Sequence, residues 1–91
     1  MRSYHLVIKG KVQGVFFRAT AKDVAQQLSL TGWVKNTEAG DVEAIIQGSE
    51  NSLQQFISWS KQGPKAAFVS GVEVTEVPVQ QFEKFEIKRG L

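Results

Sequence analysis

The stretch of sequence that decides the fold is Gly10-Lys11-Val12-Gln13-Gly14-Val15-Phe16-Phe17-Arg18. It follows a run with strand character, residues 4–8, in which Leu6 and Ile8 alternate with their neighbours. It precedes a run whose apolar side chains recur at helical spacing, namely Phe17, Ala21, Val24, Ala25 and Leu28. The stretch is therefore predicted to lead from a strand into a helix.

The predicted helix start lacks the residues that normally satisfy the first free amides of a helix. Ser, Thr, Asp or Asn usually accept hydrogen bonds there, whereas Val15, Phe16 and Phe17 have no side-chain acceptor. Arg18 adds a cation near the positive end of the helix dipole, which costs roughly 0.3 to 1 kcal/mol. A bound anion would satisfy the amides and the arginine together, so the stretch is interpreted as a phosphate-binding loop.

Two glycines support this interpretation, since Gly10 and Gly14 allow positive φ and close approach of the backbone to a ligand. A competing interpretation starts the helix later. Thr20 and Asp23 form a Thr-x-x-Asp capping pattern, which would leave the stretch as an ordinary loop. The sequence leaves both interpretations open.

Composition limits the classes of protein and site. The 91 residues are 42% hydrophobic and 22% charged, which predicts one globular domain over residues 1–91. The absence of cysteine excludes disulfides, thiolate catalysis and Cys-based metal sites. His5 is the only histidine, so a two-His metal site is excluded, and we expect it to be a half-exposed strand residue away from any carboxylate cluster.

Charge and hydropathy indicate the partners. Lys and Arg number 11 against 9 acidic residues, a net charge of +2 that modestly favours anionic ligands but not nucleic acid. No window approaches the roughly 18 apolar residues of a membrane span, and the first residues lack a signal-peptide core. We expect a cytoplasmic protein with no membrane partner.

The remaining sequence completes a β-α-β-β-α-β order with a final short strand. Strands are predicted at residues 31–36, 42–47, 68–77 and 82–88, with a turn at 38–41 and a helix at 49–61. This order is typical of the α+β ferredoxin-like split βαβ fold, in which two helices pack on one face of an antiparallel sheet.

Chain topology makes Asn36 a candidate site residue. A right-handed crossover through the first helix would leave the first two strands parallel, with the third between them. Their carboxyl ends then open at one edge, which places Asn36 beside the residues that follow the first strand. The alternative is that Asn36 is only a hairpin-turn residue, which the turn preference of asparagine favours. Lys35 and Thr37 are expected to be solvated strand residues.

Two segments of this chain closely resemble the signature regions of the acylphosphatases. The first is the stretch quoted above, and the second is Gly32-Trp33-Val34-Lys35-Asn36 followed by Gly40-Asp41-Val42-Glu43. The resemblance extends over nearly the whole chain, through Gly48, Gly63-Pro64 and Phe85-Glu86-Ile87. Lys11 departs from the pattern, because an arginine is common at that position.

The resemblance implies an enzyme that hydrolyses the carboxyl–phosphate anhydride of acyl phosphates to carboxylate and inorganic phosphate. It implies that Arg18 binds the phosphoryl group and that Asn36 positions the attacking water. The backbone amides that it assigns to phosphate binding are those of Gln13, Gly14, Val15, Phe16 and Phe17. It also implies no cofactor, metal or phosphoenzyme, with an acyl phosphate and inorganic phosphate as ligands. We expect a monomer.

Other functions on the same fold are weighed against this one. An RNA-binding domain would carry basic and aromatic residues on its third strand, whereas residues 41–46 are acidic and aliphatic. A metallochaperone would need Cys-x-x-Cys. A domain of a larger carbamoyl-transfer enzyme is the remaining alternative, which we disfavour because the chain is expected to act alone. The sequence does not name the physiological acyl group.

Overall fold

Five strands form one sheet, and two helices pack on one of its faces, in a computed structural model that describes residues 1–89. The elements in chain order are β1 (Arg2–Lys11), α1 (Phe17–Gln27), β2 (Thr31–Asn36), β3 (Val42–Gly48), α2 (Glu50–Ser60), β4 (Phe68–Val77) and β5 (Phe85–Ile87). This is the predicted ferredoxin-like order. The predicted domain limits also include residues 90 and 91, which lie outside the described residues.

Strand order confirms that the third strand lies between the first two, as predicted. The order across the sheet is β4-β1-β3-β2-β5, and β3 runs antiparallel to both β1 and β2. The first two strands are therefore parallel, and their carboxyl ends share one edge of the sheet. The sheet differs from the predicted antiparallel one at its last strand. β5 pairs parallel with β2, so the sheet is mixed.

The path of residues 78–84 explains this parallel pairing. β4 ends beside the start of β1, where Val77 pairs with Ser3. The connection then crosses the sheet, and the side chain of Gln47 at the end of β3 holds it through Gln80. In that contact Gln47 Nε2 donates to Gln80 O at 2.7 Å, and Gln80 N donates to Gln47 Oε1 at 2.9 Å. Because β5 begins at the end of the sheet where β2 begins, the two strands run in the same direction.

The helix-facing side chains form the core that the periodicity predicts. The buried strand residues include Leu6, Ile8, Val42, Ala44 and Ile46, and the buried helix residues are Phe17, Ala21, Ala25, Leu53, Phe56, Ile57 and Ser60. Val24 and Leu28 are partly buried against this cluster. Burying such a stripe on each helix is what holds two short helices to the sheet.

The second helix begins and ends close to its predicted limits. Ser49 is its N-cap, and its Oγ accepts a hydrogen bond from Ser52 N at 3.3 Å. Beyond its end, the amide of Gly63 donates to Trp59 O at 2.8 Å. Neither described helix is long and apolar enough to cross a membrane.

The face of the sheet opposite the helices carries charged pairs. His5 is half-buried, as predicted, and its Nε2 lies 2.6 Å from Oε2 of a single carboxylate, that of Glu43. The neighbouring strand supplies this carboxylate, a pairing that the sequence alone does not show. The hydrogen bond from His5, aided by the charge of Lys35 with Nζ 3.6 Å from Glu43 Oε1, lowers the pKa of Glu43 below its usual range.

Gly10 has the predicted positive φ, 127°, but for a structural reason. The register between β1 and β4 shifts between Lys9 and Gly10. A Cβ at Gly10 would lie 2.1 Å from the carbonyl oxygen of Phe68 and 2.8 Å from the amide nitrogen of Ser70. The glycine therefore permits close approach of a neighbouring strand at this irregularity.

Replacing this glycine should destabilise the fold. Gly10→Ala forces a side chain into backbone atoms at a positive φ, so we expect the free energy of unfolding to fall by roughly 2 kcal/mol or more. Gly71→Ala is the matched control, because a Cβ there meets nothing within 4 Å. Urea denaturation of both variants measures the difference. Equal stability of the two variants would contradict this account of Gly10.

Candidate active site

The first helix begins where the apolar spacing predicts, at Phe17, without a side-chain cap. Phe16 occupies the N-cap position in the left-handed conformation, with φ 62° and ψ 25°. Thr20 lies inside the helix. Its amide donates a hydrogen bond to Phe16 O at 3.1 Å, and its Oγ1 donates a second one to the same oxygen at 2.9 Å. The competing interpretation, in which Thr20 caps a later helix start, is therefore wrong.

The amides that precede and open this helix have no acceptor within residues 1–89. None of the amides of residues 13–17 donates a hydrogen bond to the described part of the chain. They lie at the positive end of an eleven-residue helix with no acidic residue in its first turn. Converging free amides at a helix start bind anions, so the local structure suits a phosphate.

Backbone conformation in the loop supports the same conclusion. Gly14 has φ 74°, and a Cβ there would meet nothing within 4 Å, so the backbone is open on that side. Phe16 adopts the left-handed conformation although it is not glycine, and this backbone strain costs on the order of 1 to 3 kcal/mol. Phe16 is 80% exposed and gains little from burial. Strain of this kind, retained without a packing gain, is common at binding sites.

The side chain of Gln13 connects the loop to the turn between β2 and β3. Its Nε2 donates to Thr37 O at 2.9 Å and to Asp41 O at 2.8 Å. This link holds the free amides in a defined position relative to the end of β2. The sequence suggested only a backbone role for Gln13, and the side-chain contact is an addition from the structure.

Asn36 ends β2 next to this turn, but its side chain takes no described part in the turn. Thr37 forms hydrogen bonds across the turn instead. Its amide donates to Asp41 O at 3.0 Å, and its Oγ1 accepts from Asp41 N at 3.2 Å. Thr37 was expected to be a solvated strand residue and is instead the residue that closes the turn. The buried Oδ1 of Asn36 has no hydrogen-bond partner among the described residues, a cost of about 1 to 3 kcal/mol that a ligand or water would relieve.

One pocket of about 330 Å³ joins these features. Five of the predicted site residues line it, and two do not: Gln13 is bonded to the turn, and Val15 is buried in the core. The complete lining is Val12, Gly14, Phe16, Phe17, Arg18, Ala19, Asn36, Ile87 and Arg89.

The pocket lining is positively charged and contains no carboxylate, histidine or hydroxyl side chain. Arg18 forms no ion pair with any acidic residue in the described part of the chain. Across residues 1–89, no three His, Cys, Asp or Glu side chains gather as a metal site would require. The arrangement can hold a multiply charged oxyanion through amides and a guanidinium.

Ile87 and Arg89 reach the pocket through the parallel pairing of the last strand. Val34 pairs with Ile87, so Arg89 follows level with Asn36 at the same edge of the sheet. Sequence reasoning missed both residues. The run that ends in Ile87 was identified as a strand, but no local pattern shows which strand it pairs with or in which direction.

Several known proteins similar to this chain are acylphosphatases. The acylphosphatase family model matches residues 4–87. An acylphosphatase of Acaryochloris marina is 48% identical over 83 residues, covering 91% of this chain and 89% of that protein. The crystal structure of acylphosphatase from Bacillus subtilis superposes with a TM-score of 0.95 at 37% identity, covering 98% of this chain and all of that one.

A larger protein also contains this fold. Full-length HypF, solved in a phosphate- and nucleotide-bound form, matches with a TM-score of 0.86 at 27% identity. The match covers 97% of this chain but only 12% of the HypF chain. The same fold thus occurs as one part of a much longer protein.

The position of Arg18 in the pocket leads to a prediction about anion binding. Arg18→Lys keeps the charge but loses the two-donor fork, so inorganic phosphate should bind roughly 5- to 30-fold more weakly, the loss of about 1 to 2 kcal/mol. Calorimetric titration with phosphate measures this. Arg2→Lys is the control, since Arg2 pairs with Glu50 and Glu76 away from the pocket. Unchanged phosphate affinity in Arg18→Lys would show that charge alone suffices.

Proposed function

Because the chain belongs to the acylphosphatase family and is an enzyme, we propose that it hydrolyses acyl phosphates to a carboxylate and inorganic phosphate, without a metal and without a phosphoenzyme. One observation carries the proposal at the level of residues. Arg18, Asn36 and the free amides at the start of α1 line or adjoin one pocket. A phosphoryl group bound there would lie between an anion-binding loop and a polar side chain able to hold a water.

The loop and Arg18 bind the phosphoryl group in this proposal. The amides of residues 13–17 donate to its oxygens, and the guanidinium of Arg18 donates through two parallel N–H groups. These donors stand in place before the substrate arrives, because the loop is bonded to the β2–β3 turn by Gln13. Fixed donors stabilise the charge that spreads over the phosphoryl oxygens in the transition state.

Asn36 positions the water that attacks phosphorus. The oxygen of this water forms a bond to phosphorus as the bond from phosphorus to the acyl oxygen breaks, and the bonding electrons leave with the carboxylate. One proton of the water passes to a phosphoryl oxygen of the substrate, since the pocket lining supplies no side-chain base, and the other stays on the attacking oxygen. The carboxylate is a good leaving group, so no strong general acid is needed.

Direct attack by water fits the composition of the pocket. The lining contains no serine, cysteine, histidine or carboxylate that could carry a phosphoryl group between two steps. Phosphoryl transfer depends mainly on positioning and on stabilising negative charge, which the amides and Arg18 supply.

Changing Asn36 separates binding from chemistry. Asn36→Ala should lower kcat by roughly 10² to 10³, the usual cost of one preorganised polar contact in a transition state. Competitive inhibition by phosphate should change little, because the loop and Arg18 are intact. Asn51→Ala, an exposed asparagine on α2, is the control. Steady-state kinetics with acetyl phosphate and the thermal unfolding midpoint are measured on both variants.

The outcome of this experiment distinguishes the two interpretations of Asn36. If Asn36 served only the hairpin, the variant would lose thermal stability and keep its kcat. A stable Asn36→Ala variant with the kcat of the original protein would remove Asn36 from the site altogether.

Metal independence has its own test. Prolonged dialysis against EDTA, followed by assay in metal-free buffer, should leave the turnover of acetyl phosphate unchanged, because the proposed groups are an arginine, an asparagine and backbone amides. The metal content of the dialysed enzyme is measured alongside. Activity that falls on chelation and returns with added Mg²⁺ or Zn²⁺ would show the metal-free mechanism to be wrong.

A further inference from the structure

A second cavity of about 390 Å³ adjoins the pocket between α1 and β5. The two cavities share Ile87 and Arg89, so the second opens from the side of the pocket where the last strand ends. We call this second cavity the basic groove, lined by Lys22, Lys84, Glu86 and Arg89 among others. No step of the proposed reaction uses it.

The charges of the basic groove are unbalanced. Three cationic residues, Lys22, Lys84 and Arg89, line the groove with one acidic residue, Glu86, and none of the three cations forms an ion pair within residues 1–89. The groove thus has a local excess of two positive charges in a chain whose net charge is only +2.

Helix geometry places one of these cations in line with the phosphate site. Lys22 lies one turn after Arg18 on α1, and like charges four residues apart destabilise a helix. No acidic residue occupies the first turn of this helix to offset them. The repulsion is relieved if anionic groups bind along this face of the helix, one at Arg18 and another at Lys22.

Pocket size indicates what the second anionic group belongs to. A cavity needs only about 10 to 15 Å³ of such volume to hold one water molecule, so the 330 Å³ pocket is larger than a phosphoryl group and its attacking water require. The acyl part of the substrate must occupy the rest and extend outward. Arg89 lies at the junction of the two cavities, on the way to Lys22 and Lys84.

We propose that the basic groove binds the acyl part of the substrate and selects acyl phosphates whose acyl part carries a further negative charge, such as a carboxylate. This inference rests on the proposed function. Arg89 and Lys22 attract the second charge, and Lys84 extends the positive field away from the pocket. They act as specificity residues and take no part in breaking the anhydride.

Two substrates that differ in one charge test the inference. 4-Carboxybenzoyl phosphate and 4-methylbenzoyl phosphate share a ring and a similar size, and a para carboxylate cannot reach the anhydride. At low ionic strength, kcat/KM should be higher for the carboxylate substrate by about two- to fivefold per contributing cation, after correction for the rates without enzyme. The preference should shrink as salt is added.

Charge-removing variants assign the preference to the groove. Lys22→Gln and Arg89→Gln should each lower the ratio of the two kcat/KM values, and Arg89→Lys should restore part of it. Lys9→Gln is the matched control, because Lys9 pairs with Glu73 with Nζ 3.4 Å from Oε2 on the other face of the sheet. Lys9→Gln should leave the ratio unchanged. Circular dichroism confirms that each variant is folded.

The outcomes distinguish the inferred preference for a charged acyl part from the proposed hydrolysis of acyl phosphates. A wild-type ratio at or below one would overturn the inference, and so would a ratio that Lys22→Gln and Arg89→Gln leave unchanged. In both cases hydrolysis of 4-methylbenzoyl phosphate would still support the proposed function. Hydrolysis of neither substrate would overturn the proposed function and the inference with it.

Discussion

The free amides at the start of α1 are the constraint on which the candidate site depends. A helix start without a cap leaves donors that cost energy unless something binds them, and this chain adds a cation in the same turn. The features around them keep these donors available: Phe16 holds a left-handed conformation, and Gln13 bonds the loop to the neighbouring turn. Binding capacity is thus obtained at some expense of local stability.

Buried side chains at both ends of this strained loop and within it anchor the loop to the hydrophobic core. Phe17, the first residue of α1, is almost fully buried and packs against Trp59, with ring centroids 5.2 Å apart. Val12 and Val15, within the loop, are also buried. The loop therefore alternates core anchors with exposed amides, so that the energy of packing holds the donors in position before a ligand arrives. Preorganisation of this kind is what phosphoryl transfer requires.

The distribution of charge in this molecule is more informative about its ligands than the net charge. The net charge of +2 is unremarkable, and several charged side chains on the sheet are paired, including Lys9 with Glu73 and Lys35 with Glu43. The cations at the pocket and along α1 and β5 form no ion pair within residues 1–89, and they create a local positive field that the net charge does not reveal.

The sequence by itself determined the elements, the core and many residues of the candidate site. Helical and strand periodicities are local, so they identified Phe17 as the first core residue of α1 and the buried faces of both helices. The right-handed crossover then placed Asn36 beside the loop without any contact being known. Motif resemblance identified the family because its two segments span many positions in a fixed order.

The tertiary structure alone decided which distant residues meet. The side chain of Gln13 bonds carbonyls 24 and 28 residues away, and β5 pairs parallel with β2 to bring Arg89 to the pocket. The steric reason for Gly10 likewise lies on another strand, at Phe68. Such contacts depend on how chain segments far apart in sequence are brought together, and no local pattern encodes the partner, the register or the direction of a strand pair.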